Sequence, residues 1–268
     1  MARRSAAAKK RHTKNVAIGI GAIVLFISAV AGATYYMLTR DPGIDRQTLC
    51  PKGGPLAHTV LLVDKTDPLN FSQKEAFLRL LEELVDRRIT PGELVSVFVL
   101  GEDFRDGAKP LVEVCNPGSG EGKSELTANV AKLNATYRER FREPLLKQAD
   151  ALISTKPAKG SPILEMLQLI SINGFRKHAV KGPHRLIIVS DLLHKTAQYS
   201  MYQGPMDFEA LANTDYGRKM SAELPGVEVE IHHVLNYPKL QNRRQLDFWK
   251  AYFSRSGAKT MSVRPMEG

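Results

Sequence analysis

The sequence predicts an α/β protein built on a doubly wound, mostly parallel central sheet with helices on both faces. Three observations carry that expectation. From residue 57 onward, short apolar runs alternate with segments of helical period, the pattern of strands joined by crossover helices. The run Leu186–Val189 is apolar without interruption, as a strand covered on both faces requires. An apolar fraction of 43% supplies enough side chains for a core between the layers.

The elements follow in chain order. HTVLLVD (58–64) reads as the first strand, and SQKEAFLRLLEELVDRR (72–88) as a helix. Its Phe77, Leu80, Leu81 and Leu84 share one face, and Ser72 is placed to cap its start. ELVSVFVL (93–100) is the second strand and KPLVEVCN (109–116) the third, closed by a glycine-rich loop. Residues 126–154 are mostly helical, with Pro144 expected to bend or break the helix. ILEMLQLISINGFRKH (163–178) is a helix with Pro162 suited to its first turn. HRLIIVSD (184–191) is the central strand, followed by a long polar segment with a short helical stretch over 208–220. VEVEIHHVL (227–235) is a strand and LQNRRQLDFWKAYFSRSG (240–257) a helix ending at Gly257. KTMSVRP (259–265) adds an edge strand. No internal repeat is evident, so residues 57–268 read as one domain.

The formal charge of +10 suggests nucleic acid until it is located. Residues 1–40 hold seven Lys or Arg and no acid, which leaves the remainder near balance and removes the reason to expect DNA or RNA. Six of those basic residues precede VAIGIGAIVLFISAVAGATYYML (16–38), 23 residues without a charged side chain. As a helix that stretch spans about 34 Å, enough for a bilayer core. The basic tail (1–15) then stays cytoplasmic and the body is exported, a reading that fits a bacterial inner-membrane protein with a periplasmic domain. Ala31-Gly32-Ala33 offers the spacing of a signal-peptide cut, and secretion after cleavage is the alternative. The apolar run continues past that point through Leu38, which favours an uncleaved anchor followed by a linker over residues 39–56. In an oxidising compartment the only two cysteines, Cys50 and Cys115, are candidates for a disulfide.

In such sheets ligands gather at the carboxyl ends of the strands. Asp64 and Asp191 end two of the expected strands. With the hydroxyls of Thr66 and Ser161 they offer the oxygen donors that Mg²⁺ or Mn²⁺ takes. Asp67 and Asn70 are additional oxygen donors in the same loop, with turn roles as their competing assignment. Asp64-Lys65-Thr66-Asp67-Pro68, Gly160-Ser161-Pro162 and Ser190-Asp191-Leu192, in this order and strand context, resemble the three loops of a von Willebrand factor type A domain. That resemblance covers nearly all of residues 57–260. It implies a doubly wound fold with a metal-ion-dependent adhesion site, and a role in binding a protein partner. The site is degenerate. Pro68 stands where the family has a second hydroxyl, and Leu192 replaces a glycine.

Two competitors remain. Pro117–Glu125 places Gly122-Lys123-Ser124 between a strand and a helix, as a phosphate loop does, but Pro117 occupies the position of its first glycine. An exported metal-dependent hydrolase is the enzymatic alternative, although no catalytic set emerges. Ser190 and His194 lack the context of a nucleophile elbow, and His232 and His233 fall on opposite faces of a strand. Trp249 with Phe248, Tyr252 and Phe253 reads as helix packing. The leading expectation is a membrane-tethered module for a protein partner that the sequence does not identify.

Overall fold

The computed structural model describes residues 2–39, 43–121, 129–153, 157–178 and 180–266. The chain separates into two units, Met1–Pro42 with Gly120–Lys132, and Gly43–Ser119 with Leu133–Gly268. The first contains α1 (Ala2–Thr39), a continuous helix. Its stretch Ile18–Tyr36 is long and apolar enough to cross a membrane, by length and composition. Ile18, Leu25, Phe26 and Tyr35 all lie exposed on it.

The second unit is a six-stranded sheet in the order β3-β2-β1-β4-β5-β6. β1 (Ala57–Asp64) is central, parallel to β2 (Glu93–Leu100) on one side and to β4 (His184–Ser190) on the other. β5 (Glu228–Val234) and β6 (Thr260–Met266) continue the parallel array, and the short β3 (Val112–Cys115) closes the other edge antiparallel to β2. This is the doubly wound architecture expected. The strands bury both faces because their side chains alternate between two cores. Val60, Leu62, Phe98, Leu186 and Ile188 pack under α6 (Ile163–Ile170), α7 (Phe208–Ala212) and α9 (Arg243–Arg255). Leu61, Val63, Val95, Val97, Ile187 and Val189 pack under α2 (Phe71–Glu83), α4 (Glu143–Lys147) and α5 (Ala149–Ile153). On the second face Glu230 of β5 accepts both guanidinium nitrogens of Arg88, pinning the end of the α2 segment to the sheet.

Several local expectations change. Helix α2 begins one residue earlier than expected, and Asn70 rather than Ser72 caps it. The Asn70 side chain accepts the Gln73 N–H, and Gln73 returns a bond to the Asn70 N–H, a reciprocal box that satisfies two free donors. Helix α2 runs on into a wider π turn at Leu84–Arg88. Pro144 neither breaks nor ends its helix. A π turn at Arg138–Arg142, which continues α3 (Val130–Tyr137), hands the chain directly to α4, with Pro144 in the first turn of α4. The wider turn absorbs the bond that a residue without an N–H cannot make. The stretch expected at 208–220 is two one-turn helices, α7 and α8 (Asp215–Lys219), each capped by its own side chain, Asp207 and Thr214.

Residues 43–56 of the expected linker belong to the folded unit. Leu49 enters the core at 1% exposure, and the Thr48 carbonyl accepts the Cys115 N–H at 2.8 Å, which extends the β3 edge. A disulfide joins Cys50 to Cys115. The apolar helix and this disulfide together agree with a membrane-anchored or exported chain whose folded unit matures under oxidising conditions.

Candidate functional site

The register explains how residues far apart in sequence meet. β1 and β4 pair from His58↔His184 to Val63↔Val189, so Asp64 ends its strand beside Ser190, and Asp191 follows immediately. Both aspartates are buried, Asp64 at 8% and Asp191 at 4% exposure.

Asp64 is well supplied with donors. Its Oδ1 accepts the Thr66 N–H at 2.9 Å and the Thr66 hydroxyl at 2.7 Å, a turn closed by its own side chain. Its Oδ2 accepts the Ser190 hydroxyl at 2.7 Å and the Ser161 hydroxyl at 3.4 Å. Ser161 therefore reaches across to Asp64 rather than capping α6, whose N-terminus is Pro162 without a side-chain cap. A two-way backbone bridge between Ser161 and Lys195 holds the two loops together. Gly160 permits that approach, because a Cβ there would stand 3.1 Å from the Lys195 carbonyl.

Asp191 is different. Its Oδ1 accepts the Leu193 N–H at 2.9 Å, but its buried Oδ2 has no hydrogen-bond partner. Burial and the neighbouring Asp64 push its carboxyl well above the usual range, with Asp67 adding to the effect. Asp64 is also raised by burial, against the hydrogen bonds from Ser190 and Thr66. Two buried carboxylates at one strand edge, one with a bare oxygen, form a site that favours a proton or a cation.

The Asp191 loop is held firmly. The Asp191 carbonyl accepts from Gln245 at 2.8 Å, Gln241 at 3.1 Å and His233 Nε2 at 3.2 Å, and the Leu192 carbonyl accepts from Trp249 Nε1 at 2.9 Å. Leu192 sits at φ +59°, the left-handed region that favours glycine. A non-glycine residue there costs about 1–3 kcal/mol and persists only when its surroundings over-determine it. Complete burial of its side chain and these bonds do so.

The cleft is lined by Asp64, Asp67, Leu69, Ser190, Asp191, Val234 and Asn236, with about 10 Å³ of water-sized space, on the scale of one water. Asp67 lies at its rim, where Tyr237 donates a hydroxyl hydrogen bond to Asp67 Oδ1 at 3.0 Å. Asn70 spends its side-chain oxygen on the α2 cap. Among the described residues no group of three or more His, Cys, Asp or Glu is arranged to hold a metal ion. An Asp191 oxygen without a donor and three clustered hydroxyl oxygens (Thr66, Ser161, Ser190) nonetheless match the hard-donor chemistry of Mg²⁺ or Mn²⁺.

Ser190 is the residue at this cleft that sequence reasoning did not assign to it. Its only signal was its place at the strand end immediately before Asp191. Ser190 and His194 do not pair, since Ser190 donates to Asp64 and His194 Nδ1 accepts the Leu164 N–H at 3.3 Å. Trp249 packs among Phe248, Tyr252 and Phe253 as expected. Gly122, Lys123 and Ser124 of the phosphate-loop candidate lie outside the described residues.

No known family profile matches the sequence, and no curated protein does. Among solved structures the chain is similar to the SpRpn10 VWA domain, at 10% identity and a TM-score of 0.39, over 78% of this chain and 88% of that one. It is also similar to an aerotolerance-related membrane protein from Bacteroides fragilis with multiple mutations to serines (11% identity, TM-score 0.34, 78% and 90% covered). A third likeness, to the human COPII-coat protein Sec24c, has 12% identity and a TM-score of 0.36, over 81% of this chain and 31% of that one. None of the three bears on the chemistry of the cleft.

Proposed function

We propose that the chain is a membrane-tethered protein-binding module whose partner docks at the carboxyl edge of the sheet, around the Asp64–Asp191 cleft. The observation that carries this reading is the buried Asp191 oxygen without a donor, beside a second buried carboxylate, at the edge where doubly wound sheets bind ligands. α1 supplies the tether. With the basic tail cytoplasmic, the folded unit faces the periplasm of a bacterial inner membrane, where its disulfide is stable.

The cation in this reading is Mg²⁺ or Mn²⁺, held by Asp64, Thr66, Ser161 and Asp191 with Ser190 alongside. Pro68 contributes no ligand, so few anionic donors surround the ion. When bound, it would keep enough Lewis acidity to accept a carboxylate from the partner. Asp67 remains at the rim, and Asn70 is committed to its helix cap.

The test is calorimetric titration of Mg²⁺ and then Mn²⁺ into the full chain in nanodiscs, beside the Asp191→Asn variant. Stoichiometric heat present in the native chain and absent in the variant is the expected result. Equal heats in the two proteins, or none in either, overturn the metal-dependent part of the reading.

A further inference from the structure

Resting on the module reading above, the rim of the cleft names the chemistry of the partner. Asp67 lines the cleft with Asp64 and Asp191, and among the described residues none of the three has a Lys, Arg or His within ion-pair distance. A divalent ion at Asp64 and Asp191 would cancel two of these charges and leave Asp67 negative. Without the ion the two buried carboxyls favour a proton, and Asp67 is the one of the three that is half-exposed. The rim of the cleft therefore presents an acid in either state, and the bare Asp191 Oδ2 behind it is a second sign that a positive group belongs in the cleft.

Two tyrosines stand near Asp67. Tyr237 holds Asp67 Oδ1 through its hydroxyl and meets Tyr202 edge to face, with ring centroids 5.9 Å apart. Lys195 lies over the Tyr202 ring, 5.3 Å from its centroid, so that ring already holds the chain's own cation and the Tyr237 side of Asp67 is the one left for a second. Beside Asp67 the surface is apolar. Phe71 is 76% exposed, Tyr237 is 37% exposed and Pro68 is exposed. The start of α2 adjoins the Tyr237 loop because the Gln73 amide bonds Leu235 and Asn236. An exposed phenylalanine at a helix start, four residues after a carboxylate held by Tyr237, is a surface for a basic side chain followed by an apolar one.

We infer that this rim receives a lysine or arginine side chain of a protein partner, its cation at Asp67 beside Tyr237, and a neighbouring apolar side chain against Phe71 and Pro68. In this reading a metal binds deeper in the cleft, at Asp64 and Asp191, and the partner's cation at the rim, at Asp67.

The experiment selects a displayed random heptapeptide library on the full chain in nanodiscs, once with Mg²⁺ and once with chelator. Affinities of the enriched peptides are then measured by fluorescence anisotropy. The expected result is enrichment of Lys or Arg beside an aromatic or aliphatic residue in both arms. Asp67→Asn should weaken binding tenfold or more with an unchanged melting temperature, and Phe71→Ser should weaken it in peptides that carry the apolar neighbour. Enriched peptides that are acidic or uncharged, or that bind Asp67→Asn as tightly, overturn the cation-reading rim and leave the module reading standing. Failure to enrich any peptide overturns both.

Discussion

Replacing Asp191 with asparagine should stabilise the ion-free protein, the reverse of what removing a buried polar group usually does. In the native chain Asp191 keeps one useful bond, from the Leu193 N–H to its Oδ1, and leaves Oδ2 buried without a donor beside Asp64 and Asp67. Asparagine preserves the accepting oxygen for Leu193 and turns the bare oxygen into an N–H donor facing carboxylates. Leaving a buried acceptor unsatisfied costs about 1–3 kcal/mol, so relief of it should raise stability by about 1–2 kcal/mol. For a folded unit of this size that is a rise of about 2–8 °C in melting temperature. Saturating Mg²⁺ should invert the order. At a hundred times its dissociation constant a ligand adds about 2.7 kcal/mol to the protein that binds it and nothing to the variant that does not. The assay is thermal unfolding of the folded unit by near-ultraviolet circular dichroism, with chelator and across a Mg²⁺ series. A variant that melts lower than the native chain in chelator refutes the account of Asp191 as a frustrated carboxylate. Equal Mg²⁺ stabilisation of both proteins refutes its role toward the ion.

Two other perturbations follow from the buried network. His58, bonded to Ser96 and packed against His178 and His184, and the enclosed His194 are both pushed down to about 3, chiefly by burial. The unfolded chain therefore takes up protons below about pH 6.5 that the folded chain refuses. Stability is full above that point and falls by about 1.4 kcal/mol per pH unit for each histidine on the way down. The raised carboxyls of Asp64 and Asp191 act the other way, binding protons first in the folded state and offsetting part of the loss in acid. Urea unfolding should show about 2–3 kcal/mol less stability at pH 5.5 than at pH 7.5, and a flat profile counts against the assignment. Replacing Cys50 and Cys115 by serine opens a closure with a sequence separation of 65. The expected cost is about 4 kcal/mol, measured by reversible denaturation beside the native chain with and without reductant. A loss under about 1 kcal/mol would mean that the Gly43–Pro51 segment docks without its bridge.

The sequence by itself determined the features written in local pattern. The apolar stretch before the body, the alternation of strands and helices, and the placement of Asp64 and Asp191 at strand ends all follow from the pattern of apolar side chains within short stretches of sequence. The mostly parallel sense of the sheet followed as well, because strands separated by helices are joined by crossovers. What the tertiary structure decided is everything that depends on which strands lie side by side. The β1–β4 register put the Ser190 hydroxyl on Asp64, and Ser161 left its helix end to join it. Asn70 took the cap that local pattern assigned to Ser72, and a π turn let Pro144 stay within a helix. Tyr202 and Tyr237 came to the rim from different loops. The lack of a donor at Asp191 Oδ2 is likewise invisible in a string of letters. A hydrogen bond is made or missed by atoms brought together across the fold, and no local period records which of them arrive.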